Sequence, residues 1–373
     1  MKTKILFLIV ILLPTAGICN SEIDGRSKSV PDSLQTIEEI STYLSENLYS
    51  DKDKTRAFYV WIAHNIKYDL KQKNIVRRYF SKSEIIDEAL ENRQGICQHY
   101  SEIFHAMCVV QQIKSYVIRG YARNTDGKII NLSHVWNAIL IDSKYYNIDV
   151  TWAAGYEQND RFIHKFCDEY FLIEPKIFVK THIPFDPIWQ FLENPINHQD
   201  FYNQDFSKIE QSGSFEYKDS ITKHEQLDVV AALEQSNKRI IQSGIINELI
   251  KIQIDENYFQ IENTKYNIAI DTLNYGIDIY NLYISYKNKQ FLKTKLPDST
   301  LKKMISDIET SIYAADKMFQ TLVSNNKDLN KLISDSRKRM PKLISNMERE
   351  KDFVEKYLNS SKPKRMFMFI KKT

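Results

Sequence analysis

Three side chains, well separated in the chain, have the residue types of a cysteine acyl-transfer centre: Cys97, His134 and Asp149. A thiol becomes a working nucleophile when a base takes its proton, when that base is held in one tautomer, and when donors meet the developing oxyanion. A histidine and an aspartate meet the first two needs. Backbone N–H groups at a helix start meet part of the third, and the helix dipole there favours a thiolate. Arg93-Gln-Gly-Ile-Cys97 places Gly95 two residues before the thiol, where a sharp turn is expected. From Cys97 onward, Tyr100, Phe104, Met107 and Cys108 recur at helical spacing, so the thiol is expected at or beside a helix N-terminus. Residue types alone do not decide the matter, because a buried structural cysteine is the commoner case.

The elements that must position these groups can be read around them. Ser115 to Ala122 reads as a strand, and Asn124-Thr-Asp-Gly127 as a turn. His134 to Ile141 and Lys144 to Thr151 form a candidate hairpin around Asp142-Ser143. With a two-residue loop, residues whose numbers have an odd sum share a face, so His134 and Asp149 would lie one diagonal step apart. An odd-length loop without a bulge would separate them. Upstream, helices are expected from near Ser33 (Ile37, Ile40, Leu44, Leu48), from Lys52 (Ala57, Val60, Trp61, Ala63) and from Ser83 as N-cap (Ile85, Ile86, Ala89, Leu90). The Cys97 helix is the fourth. Downstream, residues 153–206 are irregular and rich in aromatics and proline, with Glu169 to Ile173 as a candidate last strand.

The chain of 373 residues is long enough for two or three domains. Residues 1–19 read as a secretory signal peptide: Lys2 and Lys4, an apolar run from Ile5 to Leu13, then Pro14 and small residues. Export to a periplasm or medium is expected, and lipid anchoring at Cys19 is the alternative, weakened by the bulky Ile18. Residues 20–32 form a polar lead-in, 33–206 the domain bearing the three side chains, and 207–221 a linker around Gln211-Ser-Gly-Ser214. Residues 222–360 are expected to be an all-α helical bundle, broken or kinked at Pro341, with 361–373 a solvated basic tail. Its apolar stripes are read as core, and the domain is a candidate site for a partner protein.

Composition excludes several classes. Without residues 1–19 the chain holds 49 basic against 48 acidic side chains, which offers nucleic acid no electrostatic footprint. No later segment is apolar for long enough to be transmembrane. Four cysteines do not make a disulfide framework, and Cys97 and Cys108, about 16 Å apart along one helix, cannot bridge. His164-x-x-Cys167-Asp168 has metal-ligand types but no second ligand pair, so no metal is expected. His64 and His182 are read as structural hydrogen-bonders, and His99 and His105 as packing or surface groups on the Cys97 helix. No phosphate-binding glycine loop or dinucleotide fingerprint is present, so no cofactor is expected.

Four ordered motifs add a resemblance. Arg93-x-Gly-x-Cys97-x-x-Tyr100-Ser101, Gly120-Tyr121, Ser133-His134-x-Trp136-Asn137 and Asp149-x-Thr151-Trp152 resemble the transglutaminase-like superfamily in order and spacing. The upstream Ala57-x-Tyr59-x-Trp61-Ile62-x-x-Asn65-Ile66-x-Tyr68-Asp69 is similar too. His182-x-Pro184-x-x-Pro187-x-Trp189-Gln190 resembles the branch that includes the kyphoscoliosis peptidase. The resemblance covers roughly residues 30–205. It implies an α+β, papain-like core, helices on an antiparallel sheet, ahead of the all-α domain. It implies Cys97 as nucleophile, His134 as general base and then acid, Asp149 as the group orienting His134, and Trp136 as a wall of the substrate site. A protein or peptide would be the substrate, and peptidase, deamidase or cross-linking outcomes stay open. No upstream residue is matched to the oxyanion donor, and nothing resembles the calcium sites of the cross-linking enzymes. The competing reading is a non-catalytic binding or scaffolding protein that keeps this fold.

Overall fold

The computed structural model describes residues 20–73, 75, 81–291 and 296–369. The expected signal segment with Cys19, and Lys371 and Lys372 of the basic end, lie outside them. The chain divides into two units: residues up to Ser220 with Ser243–Leu249, and Ile221–Gln242 with Ile250 onward.

The first unit is α+β. Helices α1 (Asn20–Lys28), α2 (Ile37–Ser45), α3 (Asp51–Asn65), α4 (Lys82–Asn92) and α5 (Cys97–Val110) precede the main sheet, with short strands β1 (Lys67–Tyr68) and β2 (Gln94–Gly95) between them. Then come β3 (Ser115–Arg123), β4 (Ile129–Ile141), β5 (Lys144–Ile148) and α6 (Val150–Ala154). A β6–β7 hairpin (Gly155–Gln158, Arg161–His164), α7 (Pro175–Phe178), β8 (His182–Pro184), α8 (His198–Asn203) and α9 (Tyr217–Glu225) follow. The main sheet is antiparallel, in the order β5-β4-β3-β8.

Helix α5 packs on β3 and β4. Its Tyr100, Ile103, Phe104 and Met107 share one core with Ile139 and Ile141 of β4, Ile148 of β5 and the buried face of α3. Burial of each such side chain contributes about 1.5–3 kcal/mol. Asn137 Nδ2 donates to the Ser101 carbonyl at 3.0 Å, a polar tie between β4 and α5.

Several expectations are corrected. The lead-in is helical from Asn20 to Lys28: its pattern is polar because only Ile23 and Ser27 are buried, and Asp24 holds it to the buried Arg56 of α3 at 2.7 Å. Helix α4 is capped by Ser81, not Ser83. Strand β5 stops at Ile148, because Asp149 turns to cap α6. The last strand is His182–Pro184, paired with β3, whereas Ile173 makes one isolated bridge to Asn147. Gly95 does not have positive φ; Arg93 takes the left-handed conformation. Gly95 is required instead because a Cβ there would sit 2.5 Å from His99 Cβ.

The second unit is all-α: the later part of α9, α10 (Val229–Ser243), α11 (Glu248–Asn288), α12 (Asp298–Thr321), α13 (Lys327–Leu358) and α14 (Lys362–Phe367). Ile333, Met340, Met347 and Val354, seven residues apart on α13, pack with Ile308, Ile312 and Phe319 of α12. Helix α13 runs unbroken through Pro341, because the buried residues on both sides outweigh the roughly 3 kcal/mol an interior proline costs. Much of the basic end forms α14, where Arg365 grips Asp298 through two nitrogens at 2.7 Å, so it is not a loose tail. No helix among the described residues is long and apolar enough to cross a membrane.

Candidate active site

Cys97 is the first residue of α5, following Ile96 in extended backbone. The segment leading to it is fixed from two sides. Strands β1 and β2 pair in parallel, Tyr68 against Gly95, with Lys67 N donating to the Arg93 carbonyl and Asp69 N to the Gly95 carbonyl, both at 2.9 Å. One turn into the helix, Tyr100 donates its hydroxyl to the Ile66 carbonyl at 2.5 Å. His99 Nδ1 accepts from Ile96 N–H at 3.1 Å, closing the helix start. The upstream Asn65-to-Asp69 motif therefore holds the nucleophile's helix.

The hairpin register brings in the other two groups. Ile141 pairs with Lys144 and Asn137 with Ile148, so the loop is the two residues Asp142 and Ser143, both with positive φ. This is the tight turn that suits strand twist. His134 and Asp149 consequently share a face. Asp149 lies just beyond β5, at the N-cap of α6, with its N–H bonded to the Tyr170 carbonyl at 3.1 Å. One carboxylate oxygen, Oδ1, accepts from Trp152 N–H at 3.1 Å. The other, Oδ2, lies 2.6 Å from His134 Nε2. Asp149 thus has one oxygen spent on fixing its own rotamer and one aimed at the imidazole.

With Nε2 committed to Asp149, Nδ1 is the ring nitrogen left for the thiol. Burial opposes a charge on His134, yet the charge and hydrogen bond of Asp149, joined by a hydrogen bond and charge from Cys97, push it up to about 10. Burial also opposes charge on Asp149, but His134 and His182 outweigh it and hold the carboxyl well below its usual range. At neutral pH the arrangement is an imidazolium against a carboxylate, beside Cys97, a residue that is 9% exposed.

His182 is the residue whose place beside Asp149 sequence reasoning did not see. Read as structural, it stands fully buried with Nε2 3.3 Å from Asp149 Oδ2. The signal that could have found it was the His182-x-Pro184 motif, once those residues were read as a strand. Gly120 makes the approach feasible: it pairs with both His134 and Pro184, and a Cβ there would overlap the Ile183 carbonyl and the Trp136 ring. Trp136, expected to wall the substrate site, is 1% exposed. Its ring backs His182 edge-on at 5.5 Å and Phe178 at 5.6 Å, so it braces the histidines from inside. The half-buried Trp152 lies 5.6 Å from the His134 ring, on the more exposed side of the site.

The other flagged groups are placed elsewhere. His164 Nε2 bonds the Ala63 carbonyl at 3.0 Å and Asp168 pairs with Arg56. His105 bonds Ser115, and Cys108 is fully buried. Among the described residues, His134, Asp149 and His182 bring metal-ligand atoms within 4.8 Å of one another. Their 2.6 Å contact is a hydrogen-bond distance, whereas two ligands of one tetrahedral zinc stand roughly 3.3 Å apart.

Residues 38–150 match the family model of the transglutaminase-like superfamily. Kyphoscoliosis peptidase from Mus musculus is 27% identical over 182 residues, 47% of this chain and 27% of that protein. The Homo sapiens protein of the same name is 26% identical over 184 residues, with the same shares. Hillarin from Drosophila melanogaster is 23% identical over 210 residues, 50% of this chain and 24% of its own. The matched part is thus about a quarter of each of these relatives. A crystal structure of a TGase, at 19% identity, covers 43% of this chain and 38% of its own with a TM-score of 0.24, too low to carry an argument.

Proposed function

The chain carries a transglutaminase-like domain, and on that premise we propose that it is a cysteine acyl-transfer enzyme acting on peptide or glutamine-side-chain amides. The observation that carries this reading is the 2.6 Å pair of His134 Nε2 and Asp149 Oδ2, with Cys97 at the adjoining helix start. In the proposed reaction His134 already holds the proton of Cys97, and Cys97 Sγ attacks the amide carbonyl carbon as a thiolate. N–H groups of the first turn of α5 meet the oxyanion. The C–N bond then breaks, and His134 gives the proton to the departing amine or ammonia. A thioester on Cys97 remains. Water or an amine attacks it, giving up a proton to His134, and the C–S bond breaks, which restores the thiolate beside the protonated His134. Water makes the protein a peptidase or deamidase, and a lysine amine makes it a cross-linker. The peptidase name of two relatives supports the first outcome for those proteins. Export through residues 1–19 belongs to the same proposal and would place the substrate outside the cytoplasm.

The test is selective thiol chemistry. Iodoacetamide at neutral pH should label Cys97 much faster than Cys108 or Cys167, and His134→Ala should slow it. An amide-directed activity probe should form a covalent adduct that Cys97→Ala abolishes. Equal, sluggish labelling of the three cysteines would leave a binding protein on this fold.

A further inference from the structure

Asp149 is a fully buried carboxylate facing two imidazoles rather than one. Its Oδ2 receives His134 Nε2 at 2.6 Å and lies 3.3 Å from His182 Nε2. His182 Nε2 has no aligned hydrogen-bond partner among the described residues, so Asp149 Oδ2 at 3.3 Å is a polar neighbour that a small rotation of the ring would bring into line. We propose that His182 is a positioning residue of the site: its Nε2–H holds the Asp149 carboxylate in place and takes up part of its charge, so that Asp149 fixes His134 without accepting its proton. The inference rests on the catalytic reading above and extends it from three residues to a chain of four, Cys97–His134–Asp149–His182.

Three features build His182 for this role. The first is its tautomer. Thr181 Oγ1 lies 2.8 Å from His182 Nδ1 and 3.2 Å from the Phe178 carbonyl, and its one proton can serve only one of them. Given to Nδ1, it leaves the proton of His182 on Nε2, facing the carboxylate. Given to Phe178, it would turn a lone pair onto Asp149, which the charge there disfavours. The second is rigidity. The ring stacks on Phe178 at 4.2 Å and 14°, meets Trp136 edge-on at 5.5 Å, and lies 4.4 Å from Trp152. The third is its charge state. Burial, aided by the charge on His134, lowers His182 to about 4 against the pull of Asp149, so it is a neutral donor when His134 is charged. A second imidazolium would compete with His134 for the same oxygen. The titratable groups facing the cluster are Cys97 from α5, His134 from β4 and Asp149 itself, with Tyr59 of α3, Tyr68 of β1 and Tyr170 within reach of the Asp149 charge.

Two substitutions separate donor from packing. His182→Phe keeps a ring against Phe178 and Trp136 but has no N–H. His182→Gln has no ring but can set an amide N–H near the place of Nε2. For the purified chain, labelling of Cys97 by iodoacetamide is followed by mass spectrometry from pH 5 to 10, and His134 is titrated by imidazole NMR. His182→Phe should slow Cys97 labelling at pH 7 about tenfold and raise the His134 midpoint by roughly half a unit or more, since Asp149 then acts on one imidazole alone. His182→Gln should restore both towards wild type. Wild-type labelling and an unmoved His134 midpoint in His182→Phe would overturn the proposal. So would equal losses in both variants, because the ring would then act only by packing. If wild-type Cys97 labels no faster than Cys108, the catalytic reading fails by itself, and the His134 midpoint in the two variants still decides whether His182 acts on Asp149.

Discussion

Replacing Asp149 by asparagine removes a charge and keeps the shape, so it isolates what the carboxylate does to His134. In the native protein His134 stands at about 10 against an ordinary 6.5. Burial is the largest influence on it and acts downwards; Asp149 supplies the strongest upward pull. Without that charge the midpoint should fall below 6.5, a drop of at least roughly 3.5 units, or about 5 kcal/mol of interaction. The effect on stability is smaller, since desolvating the pair offsets part of it, but its sign and pH window are fixed. A histidine raised on folding contributes stability that is complete below 6.5 and lost as pH rises through 10. A carboxylate lowered on folding contributes stability that is present above its unfolded value and lost as pH falls. The stability gap between wild type and Asp149→Asn should therefore be widest between about pH 4 and 6.5 and shrink towards pH 10. Urea unfolding at pH 6 and pH 10, with imidazole NMR of His134 in both proteins, measures each part. A His134 midpoint that stays within half a unit of the wild-type value, or a gap that widens at pH 10, would refute the account of the pair.

Three other outcomes follow from the packing. Gly120→Ala places a methyl where the Ile183 carbonyl and the Trp136 ring meet, so the urea midpoint should fall by an amount equivalent to about 1–3 kcal/mol; unchanged stability would mean that β8 does not lie this close to β3. His198 donates to the Phe185 carbonyl and faces the Tyr121 hydroxyl, and burial lowers it to about 4. Its neutral-form stability is present above 6.5 and lost as pH falls through 4, so His198→Gln should flatten the acid slope of stability by about one proton. Arg56→Met strands Asp24 and should release α1 at a cost of about 3 kcal/mol, read as early proteolysis within residues 20–28; resistance there would show that Ile23 and the bonds of Arg26 to Tyr43 and Glu46 hold the helix without it.

The parts of the fold legible in sequence are those with a strong period. Helices α2, α3 and α5 carry apolar residues at three- and four-residue steps and were expected close to where they lie. The hairpin parity worked because a two-residue loop admits only one alternation of faces, and Asp142 and Ser143 adopt the positive φ that such a loop needs. Elements held by single contacts were not legible. Helix α1 offers one buried isoleucine and ion pairs to Arg56 and Glu46, partners 32 residues from Asp24 and 20 from Arg26, and no local pattern encodes that. The three-residue β8 is too short for alternation to show. That α13 continues past Pro341 was not legible because propensity is local, whereas the heptad of α13 that overrides it is paired with α12.

The same reasoning explains why the site was read as three residues and not four. A triad needs one contact per step, and each step here had a local cue: a helix start for Cys97, a strand for His134, and an odd sum across a hairpin for Asp149. His182 has no such cue. It reaches Asp149 across the sheet, from an edge strand whose order, β5-β4-β3-β8, places it beside β3 and separates it from β5 by two strands. The contact exists because β5 ends one residue before Asp149, freeing that carboxylate to turn back beneath β4, and because Gly120 lets β8 close over the same face. Neither event is a property of residues near His182. A buried carboxylate with one visible partner is itself the clue that could have been used: charge at 0% exposure calls for more than one donor, and a search for the second leads to the histidine beside a proline-bounded edge.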